Sequence, residues 1–207
     1  NIPLLIHGES NKPNIDIFNK ESMFIQNELS TILRLFPRLR IVLEHISTID
    51  AITCVLNNNN VYATITPHHL LLNRNDIFKN GLNPHLYCIP ILKKIDDQYA
   101  LINAAISGNN KFFLGTDNAP HLQKDKLSSC GCAGIFNSPV AIESITELFE
   151  KYNSLHNLEK FVSTNGAQFY NLPYNDEYIT LVKDEWVVPS SYGDIIPLFC
   201  NQKLAWK

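Results

Sequence analysis

The chain has 207 residues, 45% of them hydrophobic, which is enough for the core of one sizeable domain. Its formal net charge of -3 argues against a nucleic-acid or membrane-surface partner, and no apolar run approaches the ~20 residues that span a bilayer. The five cysteines are an odd number and no secretory signal is visible, so we expect a reduced, cytoplasmic protein.

Strand-like apolar runs alternate with segments of helical periodicity along the chain. The predicted strands are Pro3–His7, Arg40–His45, Val61–Thr66 and Lys111–Asp117. The predicted helices are Asn19–Phe36, a short helix capped by Ser47 or Thr48, Lys94–Ile106, a helix from Ser138 (its cap) to Tyr152, and shorter ones near Leu158–Val162 and Ala167–Tyr170. This alternation predicts an α/β fold with a parallel sheet and right-handed crossovers.

Two long segments, 67–93 and 118–137, show no regular periodicity, and loops of this length in a compact domain are usually functional. Near the end of the chain, Ile179–Val188 and Lys203–Trp206 are predicted strands of a small peripheral sheet. We therefore divide the chain into residues 1–172, which carry the four predicted parallel strands, and residues 173–207, a small C-terminal extension that packs on them.

Four parallel strands are half of an eight-stranded (β/α)8 barrel, which typically takes ~250 residues. A half barrel would leave two unpaired sheet edges. We therefore expect about four further strands upstream of Asn1, which is not a methionine.

Three predicted strands end in a residue that can bind a metal: His7, His45 and Asp117. Imidazole and carboxylate are usual ligands of zinc and similar ions, and parallel α/β barrels place their chemistry at the C-terminal ends of strands. Each residue alone is as well explained by a structural role, such as an Asp that caps a turn. The shared position of all three favours a metal site.

Other polar groups have simpler explanations. His68 and His69 follow a predicted strand and a proline, and we expect a loop role for both. Cys130 and Cys132 form a lone Cys-x-Cys, a weak metal signal that favours a loop role. The charge run from Lys124 to Lys126 is typical of an exposed loop.

Several motifs together resemble dihydroorotase of the short monofunctional type, in the amidohydrolase superfamily, and specifically its C-terminal part. The matching segments, in order, are Leu4–Glu9, Glu44–Thr48, Ala63–Leu70, Pro84–Lys93, Leu114–His121, Ser128–Gly134 and Asn165–Tyr170. They cover most of the chain. The resemblance implies a metal-dependent hydrolase with a TIM barrel, of which this chain supplies about the C-terminal half.

The resemblance also implies roles for individual residues. His7 and His45 would bind one ion of a binuclear zinc centre, and Asp117 would bind the other and act as the catalytic base. His121 and the backbone of Ala133 would contact the substrate carboxylate, and the backbone of Ile89 would contact the pyrimidine ring. The implied reaction is the reversible cyclisation of N-carbamoyl-L-aspartate to L-dihydroorotate in pyrimidine biosynthesis, and the implied assembly is a homodimer.

The sequence departs from the family pattern in two of the expected metal-binding features. The family uses a His-x-His pair and a carbamylated lysine that bridges the metals; this chain has no His-x-His, and none of its lysines lies in a matching motif. We expect both on the missing N-terminal part, so the chain alone should be incomplete as an enzyme. The alternatives are a hydantoinase or allantoinase, a non-catalytic assembly partner, or a binding protein with a barrel and no metal.

Overall fold

The computed structural model describes residues 2–207 of the chain. Its main sheet consists of β1 (Leu4–His7), β2 (Ile41–Glu44), β3 (Val61–Ile65) and β4 (Phe112–Leu114). All neighbouring pairs are parallel, and the spatial order β1-β2-β3-β4 is the order along the chain. The predicted four-stranded parallel sheet is therefore confirmed, and it is consistent with part of a barrel.

Helical segments connect the strands. They are α1 (Lys20–Phe24) and α2 (Ser30–Leu35), joined by the π-helical turn Ile25–Leu29, then α3 (Ile49–Asn57), α4 (Pro67–Leu71), α5 (Ile95–Ile106), α6 (Gln123–Lys126), α7 (Ala141–Lys151) and α8 (Asn165–Tyr170). A second π-helical turn, Lys160–Thr164, leads into α8, and 3-10 turns lie at Asp76–Phe78, Pro84–Leu86, Ser138–Val140 and Leu155–Asn157.

The central strands β2 and β3 are almost completely buried, because helices cover one face and aromatic side chains the other. The edge strand β1 differs: Leu5 is 48% exposed, whereas Val42, its partner on β2, is fully buried. A parallel strand usually has both faces covered. The apolar residues of β1 therefore form an open edge in the part of the chain that the structure describes.

Three strands end earlier than predicted: β2 at Glu44, β3 at Ile65 and β4 at Leu114. His45, directly after β2, and Asp117, three residues after β4, both have a φ of 42°, in the left-handed region. This region is sparsely used by residues other than glycine, and it turns the chain sharply out of the sheet. Each side chain is thus presented by a turn that follows its strand.

The prediction that 67–93 is wholly irregular was wrong at its start. Thr66 Oγ1 accepts a hydrogen bond from the His69 N–H, and Pro67 occupies the first position of α4. Threonine at the cap and proline at the first position are a recognised helix start, so the signal was present in the sequence. His68 and His69 consequently lie on a buried helix rather than in a loop.

The predicted cap of the 138–152 helix was also wrong. Ser138 lies in a 3-10 turn, and its N–H donates to Asn118 Oδ1 at 3.0 Å, while α7 begins at Ala141. The cap of α3 was predicted as Ser47 or Thr48, and it is Thr48, whose Oγ1 accepts from the Ala51 N–H at 3.2 Å.

The C-terminal strands are shorter than predicted, β5 (Trp186–Val187) and β6 (Lys203–Leu204), and they pair antiparallel. Val188, Leu198 and Leu204 are buried in one cluster with Ile77 and Leu92 from the loops of the main unit. A boundary near residue 172 stays a prediction. Within residues 2–207, no helix is both long and apolar enough to cross a membrane.

Candidate metal and substrate site

Two histidine side chains converge at the C-terminal ends of β1 and β2. His7 Nδ1 lies 3.3 Å from His45 Nε2, and their ring centroids are 4.8 Å apart. The parallel register explains the approach, since His7 pairs with Glu44 and His45 is the next residue. Two bonds of about 2.05 Å to one tetrahedral zinc would separate their nitrogens by about 3.3 Å. The pair therefore fits two ligands of one ion.

The turn that carries His45 is held by Thr64 on β3. Thr64 Oγ1 accepts a hydrogen bond from the His45 N–H at 2.6 Å and donates to Glu44 Oε2 at 2.7 Å. Gly115 packs directly on Thr64, and a Cβ at Gly115 would lie 2.6 Å from the Thr64 Cβ. The Gly-Thr-Asp step after β4 thus allows the β4 end to approach Thr64, the residue that holds the His45 backbone.

A carboxylate orients the other histidine. His7 Nε2 lies 3.2 Å from Glu9 Oε2, so a proton on Nε2 would be shared with Glu9 and would leave the Nδ1 lone pair free. Glu9 is buried, and its second oxygen lies 3.9 Å from Nζ of the buried Lys93. Sequence analysis missed both Glu9 and Lys93, although each lies within a quoted motif and Glu9 is only two residues from His7.

Burial favours the neutral form of the His45 imidazole. Burial lowers the pKa of His45, because a buried site disfavours the charged imidazolium; the carboxylate of Asp117 opposes this effect and His7 adds to it. Burial likewise raises the pKa of Glu44, with Thr64 opposing and Asp117 contributing. A neutral imidazole is the form that binds a metal.

The turn that carries Asp117 is fastened on both sides. Asn118 Oδ1 accepts from the N–H groups of Asn137 and Ser138, each at 3.0 Å, and the Thr116 carbonyl accepts from Asn137 Nδ2 at 2.7 Å. The left-handed φ of Asp117 is therefore imposed by its neighbours.

A second group of potential ligands consists of His68, His69 and Cys88, whose ligand atoms lie within 4.8 Å of one another. Both His69 nitrogens are already engaged, with Thr66 Oγ1 at 2.8 Å and the Pro90 carbonyl at 2.9 Å. Burial raises the pKa of the Cys88 thiol to about 12, which disfavours the thiolate that a metal requires. Protein hydrogen bonds thus account for most of this cluster, and it is the poorer metal site.

The predicted substrate-binding residues lie on the loops beyond the strand ends. His121 Nε2 is 3.0 Å from the Ala133 carbonyl, which brings the 118–127 and 128–134 segments together. Gly134, with a φ of 150°, allows this contact, because a Cβ there would lie 2.6 Å from the Ala119 carbonyl oxygen. Ile89 is 40% exposed in the 87–92 loop.

The prediction that Lys124–Lys126 is simply an exposed charge run was wrong for Lys126. Its side chain is buried, and Nζ donates to the carbonyls of Tyr87, Cys132 and Gly134 at 2.8, 2.8 and 2.7 Å. The flanking polar residues Lys124 and Asp125 gave no signal of this, because a single buried position on a four-residue helix has no periodicity to detect.

No protein-family model matches the chain. Over 209 residues it is 53% identical to a dihydroorotase of Vibrio vulnificus (strain CMCP6), covering 99% of this chain and 61% of that protein. The crystal structure of Campylobacter jejuni dihydroorotase superposes on the whole chain with a TM-score of 0.90 and 37% identity, and the chain covers 60% of it. L-hydantoinase from Arthrobacter aurescens, at 16% identity and a TM-score of 0.74 over 90% of the chain, shares the fold alone.

Proposed function

The chain is homologous over its whole length to the C-terminal part of dihydroorotases, and from this premise we propose that it supplies about half of a dihydroorotase active site. The reaction is the reversible, zinc-dependent cyclisation of N-carbamoyl-L-aspartate to L-dihydroorotate in pyrimidine biosynthesis. The observation that carries the proposal is the 3.3 Å approach of His7 and His45 at the strand ends, inside the motifs that match.

In this proposal His7 and His45 hold one zinc ion and Asp117 holds a second. Zinc ions, when bound, lower the pKa of a water and polarise the carbonyl that it attacks. The spacing of the histidine pair and the lowered pKa of His45 support the assignment. A carbamylated lysine and a His-x-His pair, supplied by a segment outside this chain, would complete the ligand set.

Asp117 moves the proton. In ring opening, water adds to the ring amide carbon and its proton passes to the Asp117 carboxylate, which then returns it to the departing amide nitrogen. In ring closure the same carboxylate takes the proton from the attacking nitrogen and delivers it to the leaving hydroxide, which departs as water. One group serves both directions, as microscopic reversibility requires.

Substrate recognition falls to the loops. His121 and the Ala133 N–H would bind the carboxylate of the substrate, and the backbone at Ile89 would bind the ring. A hydantoinase or allantoinase acts on an uncharged ring and has no use for such a site. The 53% identity to a dihydroorotase, against 16% to a hydantoinase, supports the acidic substrate.

The chain spans about 61% of the length of the curated relatives that it matches. We propose that a further segment closes the barrel against the exposed edge of β1, and that the protein works as a cytoplasmic homodimer. Below, the complete protein means this chain together with that segment.

The test is an assay of the complete protein with three substrates: L-dihydroorotate, hydantoin and allantoin. We expect zinc-dependent turnover of L-dihydroorotate, and of N-carbamoyl-L-aspartate in the reverse direction. Turnover of hydantoin or allantoin in preference to L-dihydroorotate would replace the proposed substrate. A zinc-loaded, folded protein that is inactive on all three would favour the non-catalytic assembly partner.

A further inference from the structure

Lys126 is a buried cation without an acidic partner. The residue is 3% exposed, and among residues 2–207 no carboxylate forms an ion pair with it. Its three protons are satisfied by the three backbone carbonyls of Tyr87, Cys132 and Gly134. A buried charge is costly unless it is fully hydrogen-bonded, so this arrangement points to a role that requires the charge.

One of these carbonyls belongs to the peptide unit of a predicted substrate contact. The Cys132 carbonyl and the Ala133 N–H are parts of one trans peptide, in which they point to opposite sides. Lys126 binds the carbonyl side at 2.8 Å, and no protein group among the described residues accepts a hydrogen bond from the Ala133 N–H. A cation on the carbonyl polarises the peptide and strengthens its N–H as a donor.

The neighbouring Ala133–Gly134 peptide is held at both its carbonyl and its N–H, which restrains the orientation of the Cys132–Ala133 peptide. The Ala133 carbonyl contacts His121 Nε2 at 3.0 Å, and the Gly134 N–H donates to the Tyr87 carbonyl at 2.9 Å. Lys126 therefore joins the 128–134 segment to Tyr87, two residues before Ile89. The Lys126 ammonium group thus binds both the loop that contains Ala133, the predicted carboxylate contact, and the loop that contains Ile89, the predicted ring contact.

We propose that Lys126 is a positioning residue that sets and polarises the Ala133 N–H for a ligand carboxylate, so that the site prefers acidic rings to uncharged ones. The inference rests on the proposed function and deepens it. Lys126 acts through the Cys132–Ala133 peptide and has no contact with the reacting atoms.

The test compares Lys126→Gln with the matched control Lys124→Gln, which removes the same charge from an exposed lysine two residues away. In the complete protein, we would measure kcat and KM for L-dihydroorotate, and inhibition by orotate and by dihydrouracil, which lacks the carboxylate. For Lys126→Gln we expect about a tenfold rise in the KM and in the orotate inhibition constant, with inhibition by dihydrouracil unchanged. Lys124→Gln should match the wild type, and Lys126→Arg should recover part of the orotate affinity.

An unchanged orotate inhibition constant in Lys126→Gln would overturn the proposal, and so would an equal loss for orotate and dihydrouracil, which would indicate general loosening of the loops. If Lys126→Gln does not fold, a crystal structure of the wild-type complete protein with bound orotate tests the proposal instead. We expect a carboxylate oxygen on the Ala133 N–H with Lys126 Nζ on the Cys132 carbonyl, and a carboxylate bound away from Ala133 contradicts the proposal. A wild type without L-dihydroorotate turnover would refute the proposed function instead.

Discussion

His7 Nδ1 lies 3.3 Å from His45 Nε2, although the two residues are 38 positions apart in the chain. The approach follows from the in-register pairing of β1 and β2, and it is supported by Glu9 behind His7 and Thr64 behind His45. Because these supports belong to the described chain, the histidine pair is formed without any residue of another segment.

Asp117→Asn should reduce turnover of L-dihydroorotate by at least about 100-fold in the complete protein, because an amide cannot accept the proton. The fold should survive, since asparagine tolerates the left-handed φ that Asp117 adopts. Steady-state assays in both directions, with circular dichroism as the check on folding, measure this. Near-normal rates would show that another group is the base.

Glu9→Gln should weaken zinc binding by about 10- to 100-fold, because the carboxylate partner of a ligating histidine sets its tautomer and its basicity. Chelator competition measures the affinity directly, without reference to turnover. Glu28→Gln is the matched control, since Glu28 pairs with Lys12 and Ser10 away from the histidines. Equal zinc affinities in the two variants would mean that Glu9 does not position His7.

The free energy of unfolding should depend on pH through Lys126. Burial lowers the pKa of Lys126 from 10.5 to about 8, so between these values the unfolded chain holds a proton that the folded chain has lost. The free energy of unfolding therefore rises with pH through that window. Below about pH 8 Lys126 is charged in both states, and the destabilisation from burying its charge is fully present.

Urea unfolding of the complete protein and of Lys126→Gln, at several pH values from 7.5 to about 10, isolates this contribution, because groups common to both proteins cancel in the difference. The wild type should gain stability relative to Lys126→Gln as the pH rises. A difference that is independent of pH would indicate that Lys126 keeps an ordinary pKa in the folded protein.

The 207-residue chain alone should not turn over L-dihydroorotate with added zinc. It offers three predicted protein ligands, His7, His45 and Asp117, and two zinc sites of three to four protein ligands each need more than that. The missing segment, supplied in trans, should restore activity if the two parts assemble, which size-exclusion chromatography would show. Activity of the isolated chain would contradict the proposal that some of the metal ligands come from a segment outside this chain.

Sequence patterns predicted the sheet well, because buried parallel strands appear as apolar runs whose ends carry the polar groups. They did not predict that His45 and Asp117 lie in left-handed turns, since those turns are held by Thr64 and Asn137, which come from elsewhere in the chain. Lys126 was missed for a similar reason: its three acceptors are backbone carbonyls, which carry no residue-type signal.

The central claim is that His7 and His45 bind one zinc ion, and X-ray diffraction from zinc-soaked crystals of the complete protein tests it most directly. Anomalous difference maps on the two sides of the zinc absorption edge should show an ion about 2.0–2.1 Å from both His7 Nδ1 and His45 Nε2. The same peak should be lost in His45→Ala and retained in His156→Ala, an exposed histidine. Zinc bound instead by His68, His69 and Cys88, or a peak that persists in His45→Ala, would contradict the account.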